Sequence, residues 1–402
     1  MSHIVVVGAG QAGAALVARL RAEGFEGKIT LIGEEPVPPY QRPPLSKAYL
    51  TGDMALERLY LRPENYYPDN GIDLHLDQPV TAIDPANKAV TLCDGQSVSY
   101  DQLALTTGSV PRHLPETIGG ALPGVHVVRT LADVDGMEPD AVAGRHVLIV
   151  GGGYIGLEAA AVCVKRGMQV TLIEMAERIL QRVACPETSD YFRALHRQHG
   201  VDIREGLGLQ RLLGEDHVTG ALLSDGTELP LDMVIVGIGI SPASDLAGAA
   251  GLDIENGISV DAHGRTSDPS IWSAGDCASF LFRGQRIRLE SVQNAIDQAE
   301  LVARNMMGAD AQYAPHPWFW SDQYDVKLQI AGLNTGYDRI VRRGAAPSVS
   351  HWYYAGDRLL AVDAMNDPRA YMVGKRLLEA GKSPCAEAIA DTGTDLKALL
   401  RG

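Results

Sequence analysis

The sequence predicts an α/β protein in which two related strand–helix–strand units are followed by a C-terminal α+β region. The first observation is a short apolar strand, Ile4–Val7, that leads through glycines into a helical pattern. The second is a repeat of this arrangement, with Gly8 and Gly151 143 residues apart. The third is a Pro-rich, aromatic stretch at residues 314–318 that marks a boundary before the last segment. Repetition on this scale is typical of two related nucleotide-binding domains.

The first unit can be justified element by element. Ile4–Val7 is a continuous apolar run, as expected of a central parallel strand. Residues Gln11–Glu23 have apolar side chains at helical spacing, and Lys28–Ile32 completes the unit as a second strand. A later strand is predicted at Gln102–Thr106.

The second unit repeats the same order. His146–Val150 is a strand, Tyr154–Arg166 a helix and Gln169–Ile173 a strand, with a later strand at Met233–Val236. Beyond this unit, Ser270–Ala274 forms a short strand and a helix runs from about Val292 to Met307. Mixed strands and a C-terminal helix then complete the chain.

Composition argues against several classes of function. The formal net charge of −15 disfavours general attraction to nucleic acid or to an anionic membrane. No run approaches the roughly 18 apolar residues of a membrane span, and no secretory leader precedes the first strand, so we expect a cytoplasmic protein. The five cysteines are scattered, so neither a disulfide framework nor a metal site is expected.

A dinucleotide-binding fingerprint lies between the first strand and the first helix. Gly8, Gly10 and Gly13 have the Gly-x-Gly-x-x-Gly spacing, which allows a tight turn, close approach of a pyrophosphate and close helix packing. The helix N-terminus favours the negative phosphates. Glu34, 21 residues after Gly13, can accept hydrogen bonds from an adenosine ribose, with Glu35 as an adjacent competitor.

The second fingerprint predicts a second dinucleotide. Gly151, Gly153 and Gly156 repeat the spacing, and Glu174 ends the next strand 18 residues after Gly156. An acidic side chain at this point binds a ribose 2′-hydroxyl and repels the 2′-phosphate of NADP. Glu174 therefore favours NAD.

Three charged residues near the second fingerprint leave alternatives open. Arg178 and Arg182 could turn toward a phosphate, although a solvated helical face is the preferred interpretation. Glu158 lies early in an otherwise apolar helix. It either complements the positive helix N-terminus or contacts nicotinamide or a nearby cation.

A third motif indicates a flavin. Gly275-Asp276 follows a short strand, where the carboxylate can bond a ribitol hydroxyl. A Gly-Asp pair alone is an ordinary turn. In a chain with two dinucleotide fingerprints it indicates FAD.

Together these residues resemble the pyridine-nucleotide-dependent FAD reductase family, and within it the ferredoxin reductase branch of putidaredoxin reductase type. The likeness runs through nearly the whole chain and is most specific in the Arg-Pro-Pro-Leu-Ser-Lys and Trp-Ser-Asp-Gln segments. The segments that carry it are residues 39–47, 106–108, 275–277, 290–295 and 318–323.

The resemblance implies two Rossmann-like domains and a C-terminal α+β domain against the flavin. The FAD domain comprises residues 1–112 and 239–316, the inserted NAD domain residues 113–238, and the C-terminal interface domain residues 317–402. Lys47 is expected near the flavin, paired with Glu158, and both are the expected catalytic residues. The expected cofactor-binding residues are Gly8, Gly10, Ala12, Gly13, Glu34, Arg42, Lys47, Val80, Thr107, Gly108, Arg112, Gly151, Gly153, Tyr154, Ile155, Gly156, Glu158, Glu174, Gly237, Gly275, Asp276, Val292 and Trp320.

Electron transfer through FAD is the expected chemistry. Disulfide reductases of similar layout carry a Cys-x4-Cys pair after the first unit, whereas residues 40–49 here contain Ser46 and no cysteine. NADH gives up two electrons as hydride and an iron–sulfur cluster accepts one at a time, so FAD is needed to connect them. We expect an NADH-dependent reductase of a [2Fe-2S] ferredoxin that supplies a monooxygenase or dioxygenase.

Other functions remain open at this point. A rubredoxin or monodehydroascorbate reductase is the nearest enzyme alternative. A non-enzymatic protein similar to apoptosis-inducing factor, which holds FAD and NADH as a conformational signal, is disfavoured by the charge of −15. An acidic ferredoxin would need a local basic surface, for which the candidates are Arg283, Arg286, Arg288, Arg339, Arg342 and Arg343.

Overall fold

The computed structural model describes residues 2–401 and divides into two compact units. The first unit comprises the chain up to Arg42, Ala55–Val110 and Ile240–Pro315. The second comprises Pro43–Met54, Pro111–Gly239 and the chain from His316 onward. The four-part division expected from the sequence stays a prediction.

The strands are short, as is usual for α/β proteins. In chain order they are β1 (His3–Val7), β2 (Lys28–Ile32), β3 (Ile72–His75), β4 (Val80–Asp84), β5 (Ala89–Leu92), β6 (Ser97–Ser99), β7 (Gln102–Leu105), β8 (Ser109–Pro111), β9 (Val125–His126), β10 (His146–Val150), β11 (Gln169–Glu174), β12 (Asp202–Glu205), β13 (Leu209–Gly214), β14 (Val218–Leu223), β15 (Glu228–Pro230), β16 (Met233–Val236), β17 (Ile240–Pro242), β18 (Ile258–Ser259), β19 (Ile271–Ser273), β20 (Ala278–Phe282), β21 (Gln285–Ile287), β22 (Trp318–Gln323), β23 (Val326–Gly332), β24 (Arg339–Ala345), β25 (Ser348–Ala355) and β26 (Arg358–Met365).

One α-helix follows each glycine fingerprint, and others pack against the sheets. The α-helices are α1 (Gln11–Ala22), α2 (Tyr66–Asp69), α3 (Leu131–Met137), α4 (Tyr154–Lys165), α5 (Pro186–Gln198), α6 (Asp245–Ala249), α7 (Val292–Met306), α8 (Pro368–Glu379) and α9 (Ala386–Ala390). An irregular helical segment, Leu45–Tyr49, contains Lys47 with non-helical backbone angles (φ −135°, ψ −112°).

The first unit is built on a parallel sheet in the order β19-β7-β1-β2-β3. Ile4, Val5 and Val6 of the central strand are fully buried, because both faces of the sheet are covered. Helices α1 and α7 share an apolar cluster with one face. The antiparallel strands β4, β5 and β6 and helix α6 contribute to the cluster on the other.

The second unit contains a matching parallel sheet in the order β12-β11-β10-β16-β9. The antiparallel strands β13, β14 and β15 cover one face, where Leu212 and Leu223 join a cluster with Leu148 and Val150 of β10. Helix α4 follows β10 and is apolar over most of its length.

The C-terminal sheet is antiparallel, in the order β22-β23-β26-β25-β24. Alternate residues of β25 face opposite sides. Trp352 and Tyr354 belong to the core shared with α8. His351 and Tyr353 face the other way, where both take part in polar contacts with the start of α5.

The predicted α/β class, with two Rossmann-like sheets and a C-terminal α+β region, is confirmed. Strands Lys28–Ile32, His146–Val150 and Met233–Val236 have the bounds expected from the sequence. Glu34 lies two residues beyond the end of β2 at Ile32. Within residues 2–401, no helix combines the length and apolar character needed to cross a membrane.

Candidate active site

Both glycine fingerprints lie where strand order reverses in their sheets. In the first unit β2 lies on one side of β1 and β7 on the other, and in the second unit β11 and β16 flank β10 in the same way. Ligands of doubly wound sheets bind at this switch point, beyond the carboxyl ends of the strands. Each fingerprint therefore occupies the place where a dinucleotide is expected.

The first glycine loop leaves open space at the N-terminus of α1. A Cβ atom on Gly8 would lie 2.3 Å from the carbonyl oxygen of Thr106, and one on Gly13 would lie 2.1 Å from that of Gly8. Gly8 also has a φ of +110°, which L side chains rarely adopt. At Gly10, by contrast, no atom lies within 4 Å of the Cβ position, and no side chain caps the helix. These features fit a pyrophosphate at the uncapped helix end.

The second loop has nearly the same geometry. Gly151 also has a φ of +110°, and its Cβ position lies 2.4 Å from the carbonyl oxygen of Gly237. The Cβ position of Gly156 lies 2.1 Å from the carbonyl oxygen of Gly151, while nothing lies within 4 Å of that of Gly153. Gly153 immediately precedes α4, whose N-terminus has no side-chain cap. The second loop therefore also fits a pyrophosphate.

The structure distinguishes Glu34 from its neighbour. Glu35 accepts hydrogen bonds of 2.6 Å from both the Arg42 guanidinium and the Tyr40 hydroxyl. Glu34 is exposed beyond the end of β2. Glu34 is therefore the carboxylate available to a ribose, whereas the Arg42 guanidinium is hydrogen-bonded to Glu35.

Glu174 is held by two backbone amides. Its two carboxylate oxygens accept from the N–H groups of Gly152 (2.7 Å) and Ala176 (2.8 Å). The carboxylate therefore has a defined position beside the second glycine loop, at the end of β11.

The two nearby arginines do not offset this charge. Arg178 donates to the Ser189 hydroxyl and to the carbonyl of Ala184, so its guanidinium is occupied within the protein. Arg182 lies 3.6 Å from the Cβ position of Gly239, which follows β16. The Arg182 guanidinium therefore reaches the segment after β16, which lies on the other side of β10 from β11.

The Gly275-Asp276 turn packs against the start of α1. The Cβ position of Gly275 lies 3.1 Å from the Cβ of Ala12, and Asp276 accepts a 2.9 Å hydrogen bond from the Ser109 hydroxyl. Val292 is the first residue of α7. Asp276 therefore follows a glycine that lies against the start of α1, next to the first glycine loop.

Lys47 and Glu158 form an ion pair in the second unit. Lys47 Nζ lies 3.0 Å from Glu158 Oε1, which also accepts a 2.7 Å bond from Ser321 Oγ. Ser46 Oγ donates to the other carboxylate oxygen at 3.2 Å. Burial raises the pKa of Glu158, and the charge of Lys47 and these hydrogen bonds oppose that effect. Because the Glu158 side chain is only 4% exposed, it is not a solvated charge at the end of a helix.

Aromatic residues lie at the start of α4 and on β22. The rings of Tyr154 and Phe319 have centroids 5.1 Å apart, and those of Trp318 and Trp320 are 5.6 Å apart. Burial raises the pKa of Tyr154 well above its ordinary value, and its hydroxyl has no hydrogen-bond partner within residues 2–401. Ile155 is 46% exposed.

The remaining expected cofactor residues differ in their local structure and hydrogen bonding. Val80 begins β4, and Gly108 has a φ of +73°. The Thr107 hydroxyl donates to the carbonyl of Ala243 at 2.6 Å, so a backbone group already holds it. The backbone N–H of Arg112 donates to the carbonyl of Gly239.

Sequence reasoning assigned no role to several polar partners of the site. Ser46, Ser321 and Gln323 lie inside the two most specific segments of the resemblance, which was the available signal. Ser109, which binds Asp276, had only its position after Thr107-Gly108. His196 had no local signal, because its partner Gln323 is 127 residues away.

Most candidate docking arginines have partners within their own unit. Arg286 pairs with Glu255 and Arg288 with Glu290. Of the remaining four, Arg283 lies over the Phe282 ring and Arg339 over the Tyr354 ring. Arg343 donates to four carbonyls of residues 389–394, and Arg342 is exposed in the middle of β24.

Two family models match the chain. Pyridine nucleotide-disulphide oxidoreductase matches residues 2–299, and Reductase C-terminal matches residues 318–400. The chain is 47% identical to ferredoxin–NAD(P)(+) reductase of a Sphingomonas species, covering 94% of this chain and 92% of that protein. It is 42% identical to putidaredoxin reductase CamA of Pseudomonas putida, covering 99% and 96%.

Solved structures give the same result. The covalent complex of putidaredoxin reductase with putidaredoxin matches with a TM-score of 0.96 and 41% identity, covering 100% of this chain and 98% of that one. A ferredoxin reductase from Rhodopseudomonas palustris matches with a TM-score of 0.95 and 39% identity, covering 99% of each chain. The resemblance seen in the sequence is confirmed.

Proposed function

Because the chain belongs to the pyridine nucleotide-disulphide oxidoreductase family, we propose that it is an FAD-dependent NADH:ferredoxin reductase. It takes hydride from NADH and passes single electrons to a [2Fe-2S] ferredoxin, which supplies a monooxygenase or dioxygenase. Full-length relatives named for a ferredoxin, putidaredoxin or rhodocoxin partner support this acceptor.

One observation carries the proposal for this chain. The segment Pro43–Met54 presents Ser46 and Lys47 to Glu158 and contains no cysteine. Cys163, Cys185 and Cys277 are buried and Cys93 and Cys385 are exposed, with no two of them paired. Without a thiol pair to receive them, electrons must pass from the flavin directly to the acceptor.

Each unit has residues suited to one part of the cofactors. In the first unit, Gly10 and the start of α1 would hold the pyrophosphate of FAD, Glu34 its ribose and Asp276 its ribitol chain. Bound FAD would supply the conversion between a two-electron donor and a one-electron acceptor.

In the second unit, Gly153 and the start of α4 would hold the pyrophosphate of NADH, and Glu174 the adenosine ribose. Glu158 orients the Lys47 ammonium through their 3.0 Å contact, and Ser46 and Ser321 favour the ionised form of the carboxylate by donating to it. Tyr154, Phe319 and Trp320 contribute aromatic surface that excludes water from neighbouring groups.

NADH rather than NADPH is the proposed hydride donor. Glu174 is oriented by two amides, Arg178 is occupied, and Arg182 lies on the opposite side of β10. A cytoplasmic location is part of the same proposal, since all five cysteines, each within the described residues, are unpaired as in a reducing compartment.

The decisive experiment compares purified acceptors. The holoenzyme is mixed with NADH and, separately, with a [2Fe-2S] ferredoxin, rubredoxin and monodehydroascorbate, and kcat/KM is measured for each. We expect the ferredoxin to exceed the others by at least about tenfold. Preference for rubredoxin, which names a relative 38% identical to this chain, would replace the proposed acceptor.

A further inference from the structure

A row of hydrogen bonds, buried except for the last, connects Glu158 with Tyr324 in the second unit. Ser321 Oγ is 2.7 Å from Glu158 Oε1, and Gln323 Nε2 is 3.1 Å from Ser321 Oγ. Gln323 Oε1 is 2.8 Å from His196 Nε2, and the Tyr324 hydroxyl is 3.1 Å from His196 Nδ1. Ser321, Gln323 and His196 are fully buried.

The available protons determine the direction of every bond in this row. Ser321 has one hydroxyl proton, and ionised Glu158 can only accept it, so Ser321 must accept from the amide nitrogen of Gln323. The amide oxygen then faces His196, so His196 Nε2 must carry a proton. His196 Nδ1 in turn accepts from the Tyr324 hydroxyl. All four donors point toward Glu158.

This row cannot carry a proton outward. The amide nitrogen of Gln323 donates and has no acceptor capacity, so the bonds cannot reverse in sequence. Burial lowers the pKa of His196 to about 4, so its ring is neutral near pH 7. The row is therefore a fixed series of dipoles whose positive ends face a carboxylate, each bond polarising the next.

We propose that His196 is a positioning residue for the Lys47–Glu158 pair, acting through Gln323 and Ser321 to keep Glu158 ionised. The inference deepens the proposed function and rests on it for the role of the pair. A buried carboxylate is stable only when it is paired and its oxygens accept hydrogen bonds. Glu158 meets this condition through Lys47, Ser46 and Ser321, and His196 polarises the row by donating to Gln323.

Few titratable groups face these residues. Within residues 2–401, Lys47 is the charged group in contact with Glu158. His196 is faced by Tyr324 and by His199, whose ring stacks on Tyr324 with centroids 3.7 Å apart. A change in Glu158 titration after substitution of His196 therefore reports on the row itself.

The test titrates Glu158 in the holoenzyme by infrared difference spectroscopy, with E158Q identifying its carboxyl band. His196→Leu removes the donor, whereas His196→Gln places an amide N–H near the position of Nε2. We expect the Glu158 midpoint to rise by about one pH unit in H196L, a tenfold change in proton affinity, and to stay at the wild-type value in H196Q. His217→Gln changes a histidine of the same unit that contacts Val218 and Asp140 instead of the row, so it is the matched control and should leave the midpoint unchanged.

Gln323→Met replaces the side chain by one of similar length and breaks the row one step nearer to Glu158. It should also raise the Glu158 midpoint, and it provides the test if H196L does not fold. An unchanged midpoint in the folded variants, or equal shifts in H196L and H196Q, would overturn the proposal, because the donor would then be irrelevant. The measurement requires no ferredoxin. Failure to reduce a ferredoxin would therefore count against the proposed function alone.

Discussion

At the scale of one residue, two backbone amides fix the Glu174 carboxylate, on which the proposed coenzyme preference rests. Two amides of neighbouring loops donate to its two oxygens, so the side chain does not rotate away when a phosphate approaches. A 2′-phosphate would carry more negative charge into this position, whereas a 2′-hydroxyl can donate to it. This fixed orientation supports the proposed NADH preference beyond what the acidic residue type alone suggests.

We predict that Glu174→Gln narrows the ratio of kcat/KM for NADH over NADPH by about tenfold or more, which corresponds to about 1.4 kcal/mol. Steady-state kinetics with both coenzymes measure the ratio. Glu177→Gln is the matched control, because it makes the same charge change at an exposed position three residues away. Equal narrowing in the control, or equal use of both coenzymes by the unmodified protein, would contradict the assignment.

Glu158 marks the limit of residue-scale prediction from sequence. Its place in a helix after the second fingerprint was predictable from spacing. Its hydrogen-bond partners Ser46 and Ser321 are 112 and 163 positions away, so neither burial nor the direction of the pKa shift could follow from local pattern. The pairing with Lys47 came from family resemblance, and its catalytic role stays a prediction.

At the scale of elements, the two glycine loops separate two roles that the motif combines. Gly8 and Gly151 permit the backbone turn, because each has a φ of +110° and a carbonyl oxygen at the Cβ position. Gly10 and Gly153 have ordinary negative φ values and open space instead. The first role belongs to folding and the second to ligand approach.

We predict that Gly10→Ala folds with the thermal stability of the wild-type apoprotein but binds FAD at least about tenfold more weakly, because a methyl group occupies the pyrophosphate's approach. Gly8→Ala should instead lower Tm by several degrees, since a left-handed φ alone costs about 1–2 kcal/mol. Gly153→Ala is the control and should raise the KM for NADH while FAD content stays near one per chain. Normal FAD affinity in G10A would exclude this loop from the flavin site.

A second element-scale feature is a polar cluster between α5 and the C-terminal sheet. The hydroxyls of Thr188 and Tyr353 both donate to the same carboxylate oxygen of Asp363, and Thr188 Oγ1 is 2.8 Å from His351 Nδ1. Burial raises the pKa of Asp363 to about 6 and lowers the pKa of His351 to about 4.

These two shifts have opposite effects on stability. Asp363 binds a proton in the folded state between pH 3.8, its ordinary pKa, and about 6, so its contribution is lost as pH rises through this window. His351 is neutral in the folded state down to about pH 4 but has an ordinary pKa of 6.5, so its contribution is lost as pH falls from 6.5 to about 4. The two nearly cancel in the wild-type protein.

We predict that Asp363→Asn makes the free energy of unfolding rise more steeply with pH between about 4 and 6.5, by up to about 1.4 kcal/mol per pH unit. Tm should rise more steeply over the same range. An amide oxygen can still accept from Thr188 and Tyr353. Calorimetry across this range measures the slope. Asp357→Asn changes the same residue type at a fully exposed position and should leave the slope unaltered. Parallel Tm curves for wild type and D363N would disprove the cancellation.

Elements differ in how well sequence predicted them. Buried parallel strands such as β2, β10 and β16 read as apolar runs bounded by turns, and their ends were correct. The five C-terminal strands were expected only as a mixed segment, because their pairing joins residues far apart and their faces alternate between two cores. Tertiary contacts, rather than local propensity, define that sheet.

At the scale of the whole molecule, the net charge of −15 opposes association with another acidic protein. Local cations must offset this repulsion, yet Arg286, Arg288 and Arg343 have structural partners within their own units. From the sequence alone, all six arginines were equal candidates for a docking surface. Arg342 is exposed on β24, so it is the candidate that we test first.

We predict that Arg342→Glu raises the KM for ferredoxin severalfold at low salt, and that added salt weakens ferredoxin association in the wild type. The physical reason is that exposed charges are screened beyond a Debye length of about 10 Å at 0.1 M salt, so an attractive contact and its reversal both lose effect as salt increases. Reduction of the flavin by NADH should stay unchanged in R342E, because that step does not involve the acceptor. Arg376→Glu supplies the matched control, since it makes the same charge change at an exposed position on α8, which packs on the opposite face of the sheet. Ferredoxin reduction that is indifferent to salt and equal in both variants would exclude electrostatic docking at β24 and leave apolar contacts to select the partner.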